Sequence, residues 1–273
     1  MNTSVDQLRR QVQQVQRRAP VRALAPTLGV LLILALWQII TMLEIYPEFI
    51  IPTPLSVVQR WIDVARDGRL WLNTWTTVSQ MLVGLTIGLT VGVTLGYVMA
   101  KSRALEDVLS PLVLAFQSTP VVAYAPLLVI WFGSGPTSKV VTSALIVFFP
   151  MLINTLVGIR AVPPSLHDLM RSLGATRWQM FSRLEVPAAL PVLFGGLKVS
   201  AVLAVIGAVV GEFISADAGL GYLINRARFD YDTPLVFVAI FMLALIARLM
   251  YGAISLLERR ALAWQKHVRK TSS

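Results

Sequence analysis

Side chains that could do chemistry are sparse in this sequence of 273 residues. It has no cysteine, which excludes disulfides, thiolate zinc sites and cysteine nucleophiles. Its two histidines, His167 and His267, lie in polar segments, outside the long apolar runs and without a serine–histidine–aspartate arrangement. The phosphate-binding pattern G-x-x-x-x-G-K-[ST] is also absent. We therefore expect neither an enzyme nor a cofactor bound by this chain, and any ATP that powers it must be bound elsewhere.

The elements that would position the polar residues are membrane spans. Hydrophobic residues make up 56% of the sequence and charged residues 14%, against about 25% charged residues in soluble domains. The mean hydropathy is +0.69, and apolar residues gather in runs of about twenty, enough to cross a bilayer as a helix. This pattern predicts an all-α integral membrane protein with six transmembrane helices. The predicted spans are residues 25–43, 76–100, 111–132, 139–159, 189–213 and 234–256.

Basic residues predict the orientation of these spans. Lysines and arginines concentrate before span 1, between spans 2 and 3, between spans 4 and 5, and after span 6. The opposite segments hold few of them, so both termini and the loop between spans 4 and 5 are expected in the cytoplasm. The net charge of +10 reflects this bias. It does not indicate nucleic-acid binding, because no basic soluble domain is present.

Glycines in two spans recur at helical spacing. Span 2 carries four glycines, each four residues after the previous one, and span 5 carries two more at the same spacing. Such a stripe lets a neighbouring helix backbone approach closely. Helix packing is the first interpretation, and a glycine face along a pathway is the second. The residues are Gly84, Gly88, Gly92, Gly96, Gly207 and Gly211.

Polar residues inside the spans are candidates for a translocation path. Span 3 contains Pro120 and Pro126, which predict a kinked helix that either packs against neighbours or lines a substrate route. The side-chain amide of Asn154 in span 4 could form a hydrogen bond with another helix or with a substrate. Lys198 and Arg248, inside spans 5 and 6, favour a gating or inter-span structural role over substrate contact. The path candidates are Gln117, Ser118, Thr119, Tyr124, Asn154 and Glu212.

The loop between spans 4 and 5, residues 161–187, is basic and amphipathic. Two sequence patterns typical of capping boxes, Ser165 to Asp168 and Thr176 to Gln179, predict two short helices separated by a turn at Gly174. Apolar residues fall along one edge of each helix. The hairpin either buries that edge among lipid headgroups or docks it into a groove on a partner.

A resemblance to a known family favours docking. Asp168-Leu-Met-x3-Gly174-x9-Leu184-x-Val-Pro187 resembles the E-A-A-x3-G-x9-I-x-L-P motif of ABC importer permeases, with aspartate in place of glutamate and Leu169 and Met170 in place of the alanines. Residues 116–140, 148–160 and 204–224 are similar to the branch that imports nitrate, sulfonates, taurine, the thiamine pyrimidine precursor and riboflavin. FFPMLINT and AVIGAVVGEF look most like the vitamin and vitamin-precursor permeases.

The resemblance implies a fold, a division of the chain and a coupling site. The fold is that of type I ABC importer permeases. Residues 1–24 would be a cytoplasmic tail, 25–74 the first span plus an outer interfacial helix, 75–260 the transporter core and 261–273 a basic cytoplasmic tail. The residues implied to couple to the ATPase are Asp168, Leu169, Met170, Gly174, Ala175, Trp178, Phe181, Leu184 and Pro187.

The resemblance also implies partners and a function. The partners are cytoplasmic ABC ATPase subunits that carry ATP and magnesium, an extracytoplasmic substrate-binding protein and a second permease copy in a homodimer. The function expected in the bacterial inner membrane is import of a vitamin or vitamin precursor such as riboflavin or hydroxymethylpyrimidine. Sulfonate, taurine or nitrate import is the alternative. Other classes are a receptor or scaffold that binds an ATPase without transport, and a passive channel or ion-driven carrier.

Overall fold

The computed structural model describes residues 27–264, and within this range the chain forms helices without a β-strand. The predicted N-terminal tail at 1–24 and most of the predicted C-terminal tail at 261–273 lie outside it. The helices are α1 (Thr27–Met42), α2 (Pro54–Arg66), α3 (Arg69–Lys101), α4 (Arg103–Ser118), α5 (Val121–Phe132), α6 (Pro136–Arg160), α7 (Pro164–Ser172), α8 (Arg177–Met180), a π-helical turn (Phe181–Glu185), α9 (Val186–Ile214), α10 (Leu220–Phe229) and α11 (Thr233–Ala261).

Four helical stretches in the described part of the chain are long and apolar enough to cross a membrane. They are α3, α6, the continuous stretch from α8 through α9, and α11. The helices α4 and α5 reach this length only as a pair bent by 96°. The first predicted span corresponds to α1, which is shorter than the about 20 residues that a crossing needs. The six predicted spans are thus four long helices, one broken span and one shorter apolar helix.

The third predicted span is broken rather than kinked. The sequence predicts one helix over 111–132, but α4 already begins at Arg103 and ends at Ser118, and α5 begins at Val121. Thr119 between them is extended, with φ −91° and ψ 126°. The ring of Pro120 disfavours helical geometry at the residue before it, which explains the break. Pro126 instead lies inside α5.

The glycine stripe of α3 lies against α6. A Cβ atom added at Gly88 would lie 2.5 Å from the carbonyl oxygen of Ala144, and one added at Gly96 would lie 2.5 Å from that of Leu152. Real side-chain atoms do not approach carbonyl oxygens this closely, so only glycine permits this helix separation. Close packing of this kind replaces the hydrophobic driving force that is missing between helices in lipid.

The helix α6 packs just as closely against α9. A Cβ atom at Gly207 would lie 2.6 Å from the Cα atom of Ser143, and one at Gly211 would lie 2.9 Å from the Cα atom of Lys139. The Ser143 hydroxyl donates a hydrogen bond of 3.1 Å to the Ala204 carbonyl. Consequently α3, α6 and α9 form the centre of the bundle.

The remaining helices pack around this centre. Val57 and Val64 of the amphipathic helix α2 are buried, and Arg60 forms an ion pair with Asp232 just before α11. Trp37 attaches α1, since its ring stacks on Phe237 of α11 with 5.3 Å between centroids. Together these contacts hold α1 and α2 beside α11.

Candidate functional site

Residues 164–185, comprising α7, α8 and the π turn, form the hairpin between α6 and α9. Gly174 separates α7 from α8 and has a φ of +71°, a left-handed conformation that glycine adopts readily. The capping box at Thr176 is present: its hydroxyl accepts from the Gln179 amide at 3.2 Å, and the Gln179 side chain accepts from the Thr176 amide at 2.8 Å. The hairpin thus has the predicted helix–turn–helix form.

The other predicted capping box is wrong. The cap position of α7 is Pro163, without a side-chain hydrogen bond, and Pro164 is the first helical residue. Ser165 therefore lies inside the first turn and cannot act as its cap. Proline is well suited to the first helical position, where a backbone N–H would have no partner within the helix.

Three large apolar side chains of the hairpin are more than half exposed in the described chain. Leu169, Leu173 and Trp178 are 54%, 72% and 71% exposed. Asp168 is also exposed and lies 3.5 Å from Arg171. Exposed apolar side chains outside the spans are typical of a surface that lipid headgroups or a partner covers.

Other residues of the predicted coupling motif face inward or are only half-exposed. The Phe181 ring meets the Tyr97 ring of α3 edge-on, with 5.2 Å between centroids, and it also contacts the Trp178 ring at 5.4 Å. It therefore attaches the hairpin to α3 rather than pointing away from the chain. The half-buried members are Met170, Ala175, Leu184 and Pro187.

A buried carboxylate that the sequence reasoning missed lies beneath the hairpin. Glu185, the last residue of the π turn, is 1% exposed. It forms an ion pair with Lys101 at the end of α3, accepts a 3.1 Å hydrogen bond from the Tyr97 hydroxyl and lies 3.3 Å from Nε2 of His167 in α7. The cluster joins α3, α7 and the π turn that precedes α9. Its sequence signal was a lone acidic residue between basic and apolar neighbours.

Glu212 lies in a second buried cluster, at the far end of α9. One carboxylate oxygen accepts from the Thr77 hydroxyl at 2.7 Å and the other from the Gly221 amide at 2.6 Å. The Thr77 hydroxyl also accepts from the Leu220 amide, and the Asn73 side chain accepts from the Gly219 amide, both at 2.8 Å. These bonds satisfy amides at the start of α10 that have no partner within the helix. Glu212 is 1% exposed, so it faces the interior of the chain.

The other path candidates lie at the helix break and in α6. Gln117, Ser118 and Thr119 end α4, and the ring of Tyr124 in α5 lies 6.2 Å from that of Phe116. The Asn154 side chain donates a 2.8 Å hydrogen bond to the Pro150 carbonyl of its own helix. The structure thus brings the residues around the break together and places Asn154 and Glu212 elsewhere.

Lys198, the lysine inside predicted span 5, forms an ion pair. Lys198 of α9 forms an ion pair with Glu258 of α11, and its ammonium lies 5.8 Å from the centre of the Tyr251 ring. This contact joins two spans. Among residues 27–264, no group of three His, Cys, Asp or Glu side chains could hold a metal ion.

Comparison with known proteins identifies the family. Residues 88–262 match the family of binding-protein-dependent transport system inner membrane components. The chain belongs to this family. The permease is 50% identical over 244 residues to the riboflavin transport system permease protein RibX of Chloroflexus aurantiacus, a match that covers 88% of this chain and 91% of the relative. It is 37% identical to the formylaminopyrimidine transport permease protein ThiX of Halalkalibacterium halodurans, over 90% of this chain and 97% of the relative.

A solved structure gives the same fold. An inward-facing structure of the MetNI methionine ABC transporter superposes with a TM-score of 0.62 at 20% identity, over 69% of this chain and 94% of the matched chain. The permease is therefore a multi-pass inner-membrane subunit of an ABC importer, with a transport role rather than an enzymatic one. Membership in this family implies ATPase and substrate-binding partners.

Proposed function

We propose that the permease imports a vitamin or vitamin precursor, most specifically riboflavin. The observation that carries this proposal is the 50% identity to a riboflavin permease over 88% of the chain. The similarity to a formylaminopyrimidine permease supports the same class of heteroaromatic nutrients. Two copies of the chain would form the pore as a homodimer, since one bundle supplies one side of a two-fold path.

The hairpin is the proposed coupling element. With the termini in the cytoplasm, the hairpin projects toward the ATPase subunits, and Leu169, Leu173 and Trp178 enter a groove on their surface. A few such apolar anchors carry most of the binding energy of an interface. ATP and magnesium bind to the ATPase, whose closure moves the two hairpins together and opens the spans outward. Hydrolysis then resets the spans inward, and the permease itself hydrolyses nothing.

Two contacts would carry this motion into the spans. Glu185 joins the hairpin to Lys101 at the end of α3, and Phe181 packs on Tyr97 of the same helix. The broken pair α4–α5 follows α3 directly in the chain, because only Ser102 separates α3 from α4. In this proposal, Gln117, Ser118, Thr119 and Tyr124 line the route beside the break.

The substrate is tested by titrating the partner substrate-binding protein with riboflavin, hydroxymethylpyrimidine, taurine and nitrate. Tight, saturable binding of riboflavin, followed by its ATP-dependent uptake into vesicles that contain the whole transporter, is the expected result. Tight binding of hydroxymethylpyrimidine alone would support import of a vitamin precursor and contradict riboflavin as the substrate. Taurine or nitrate binding would keep the importer and overturn the vitamin proposal.

The coupling role is tested with Trp178→Ala. We expect loss of uptake and weaker co-purification of the ATPase, with membrane insertion unchanged. The matched control is Trp75→Ala on α3, because Trp75 is exposed to a similar degree, 70%, but lies at the opposite end of the bundle. Equal uptake and co-purification in both variants would contradict the docking role. Uptake that continues after the ATP site of the partner is disabled would indicate a passive or ion-driven pathway instead.

A further inference from the structure

An apolar groove opens at the hairpin end of the bundle, and the proposed docking residue Trp178 lines its rim. It has a volume of about 600 Å³. Its walls come from the last turns of α3 and α6, the first turns of α9 and the hairpin. The apolar part of the lining includes Val93, Val98, Ile159, Val186 and Leu193.

A basic cavity of about 540 Å³ adjoins this groove. Tyr97 and Arg177 line both, so the groove and the cavity lie side by side, and together they are called the depression here. Lys101, Arg171 and Arg177 line the cavity, together with the single carboxylate of Glu185. Lys101 already neutralises that carboxylate. Arg177 has no ion pair with any residue between 27 and 264, and Arg171 has only a mostly exposed contact with Asp168.

The polarity of the depression follows the axis of α3. Val93 lies at the deep apolar end, and Lys101 ends the helix at the basic end. The two residues are eight positions apart in the helix, a distance of about 12 Å at 1.5 Å per residue. An apolar end inside the membrane and a cationic end at the helix termini match an amphiphile with an anionic headgroup.

We propose that this depression is a binding site for an anionic phospholipid of the adjacent leaflet. One acyl chain lies in the groove, and the phosphate lies between Arg171 and Arg177. Basic pockets between transmembrane helices are a recurring form of anionic lipid site.

Charge and depth favour a lipid over a chain end or a soluble partner. The chain ends outside the described structure are basic: residues 1–26 carry five arginines and one aspartate. They would be repelled by the arginines of the cavity. A soluble partner would reach the arginines but not the groove beside Val93 and Leu193, which lies within the spans. The lipid site is independent of the substrate, and because it shares Trp178 with the proposed docking edge, it is tested on the permease without the ATPase.

The site is tested on the full-length permease in phosphatidylcholine vesicles. Trp178 lines the groove and serves as the reporter, because bromine atoms on acyl chains quench tryptophan fluorescence on contact. The signal of Trp178 is obtained as the difference between the wild-type protein and Trp178→Phe. Phosphatidylglycerol and phosphatidylcholine with the same brominated chains are titrated separately.

We expect brominated phosphatidylglycerol to quench Trp178 at lower mole fraction than brominated phosphatidylcholine. Arg171→Gln and Arg177→Gln should each weaken this preference about fivefold, as expected for one cation beside an anionic headgroup. The matched control is Arg259→Gln plus Arg260→Gln, which removes two cations from the end of α11 and should leave the preference intact.

A second pair of variants tests the groove itself. Thr94→Phe fills the groove from α3 and should reduce quenching by phosphatidylglycerol. Thr90→Phe, one turn further from the hairpin on the same helix and outside the groove lining, should not. Both variants leave the arginines in place, so they separate chain binding from headgroup binding.

Three results would overturn the proposal. Equal quenching by the two lipids would show that no headgroup is selected. A preference that survives both arginine substitutions would place the anion elsewhere. Loss of the preference on adding inorganic phosphate, with Thr94→Phe without effect, would indicate a soluble anion site rather than a lipid site.

Discussion

Lys101, the last residue of α3, forms an ion pair with Glu185, which lies 84 positions later in the chain and is almost completely buried. The pair connects the end of a membrane span to the last turn of the hairpin. A buried carboxylate depends on such a partner, because removing one member leaves an uncompensated charge in a weakly solvated place. The hairpin and α3 are thus joined by an interaction that is costly to break.

Removing the lysine should destabilise the permease. For Lys101→Met we expect a loss of about 1–3 kcal/mol, less than for a fully buried pair, because the Lys101 side chain is 42% exposed. The measurement is the thermal unfolding midpoint of the purified protein in detergent. The double variant Lys101→Met with Glu185→Met should recover much of the loss, because no buried charge remains.

The control for this pair is Arg69→Met. Arg69 pairs with Asp67, and the side chains are 53% and 38% exposed. An exposed ion pair contributes about 0–1 kcal/mol to stability, so the thermal unfolding midpoint of Arg69→Met should be almost unchanged. Equal shifts for Lys101→Met and Arg69→Met would show that Glu185 does not depend on Lys101.

Gly219 should not tolerate a side chain. Its φ is +121°, and a Cβ atom there would lie 2.3 Å from the carboxyl carbon of Glu212. Gly219→Ala therefore combines backbone strain of about 1–3 kcal/mol with a clash against the Glu212 cluster. We expect a clearly lowered unfolding midpoint and increased proteolysis next to α10.

Gly133→Ala separates the two effects. Gly133 also has a positive φ, +77°, but a Cβ atom added there would have no neighbouring atom within 4 Å among the described residues. It should therefore show the backbone strain alone. If both alanine variants unfold at the same temperature, the clash with Glu212 contributes nothing.

The contact between α3 and α6 should be sensitive to one methyl group. Gly88→Ala places a Cβ atom 2.5 Å from the Ala144 carbonyl oxygen, so the helices must separate. Overpacking of this kind costs about 1–3 kcal/mol. Gly195→Ala in α9 is the control, because nothing in the described chain lies within 4 Å of its Cβ position and alanine is the better helix former. A lower midpoint for Gly195→Ala than for Gly88→Ala would contradict the close packing.

Pro120 should maintain the angle between α4 and α5. Without the ring, Thr119 is free to become helical, so Pro120→Ala should straighten the pair and lengthen its end-to-end distance. The chain has no native cysteine, so spin labels at Val108→Cys and Trp131→Cys report this distance without background. Both positions are well exposed. The control is Pro126→Ala, inside α5, and an unchanged distance in both variants would assign the bend to other contacts.

Features that depend on neighbouring residues were predictable from the sequence, and features that depend on distant contacts were not. The centre of the bundle was predictable because long apolar runs and glycines four residues apart are local patterns. The Thr176 capping box and the Gly174 turn were readable for the same reason. The prolines predicted an irregularity in the helix of span 3, but the sequence does not predict the bend angle of 96°. The residues of α4 give no packing signal either, since none of them is buried in the described chain.

The two buried carboxylates depended on distant partners. Glu212 receives its hydrogen bonds from Thr77, 135 positions earlier, and from a backbone amide, which has no sequence signature. The inward position of Phe181 likewise depends on Tyr97 of another helix. The roles of the path and coupling residues are predictions, and Trp178→Ala tests the coupling role.

The glycine contacts have a mechanical consequence. Where the backbones of α3 and α6 nearly touch, there is no compressible layer of side chains between them, and α6 meets α9 in the same way. A displacement applied to one end of α3 cannot be absorbed by rearranging rotamers at these contacts. The three helices would then move as a stiff lever, and the bending would fall on the joints around them: Ser102, the break at Thr119 and Pro120, and the π turn.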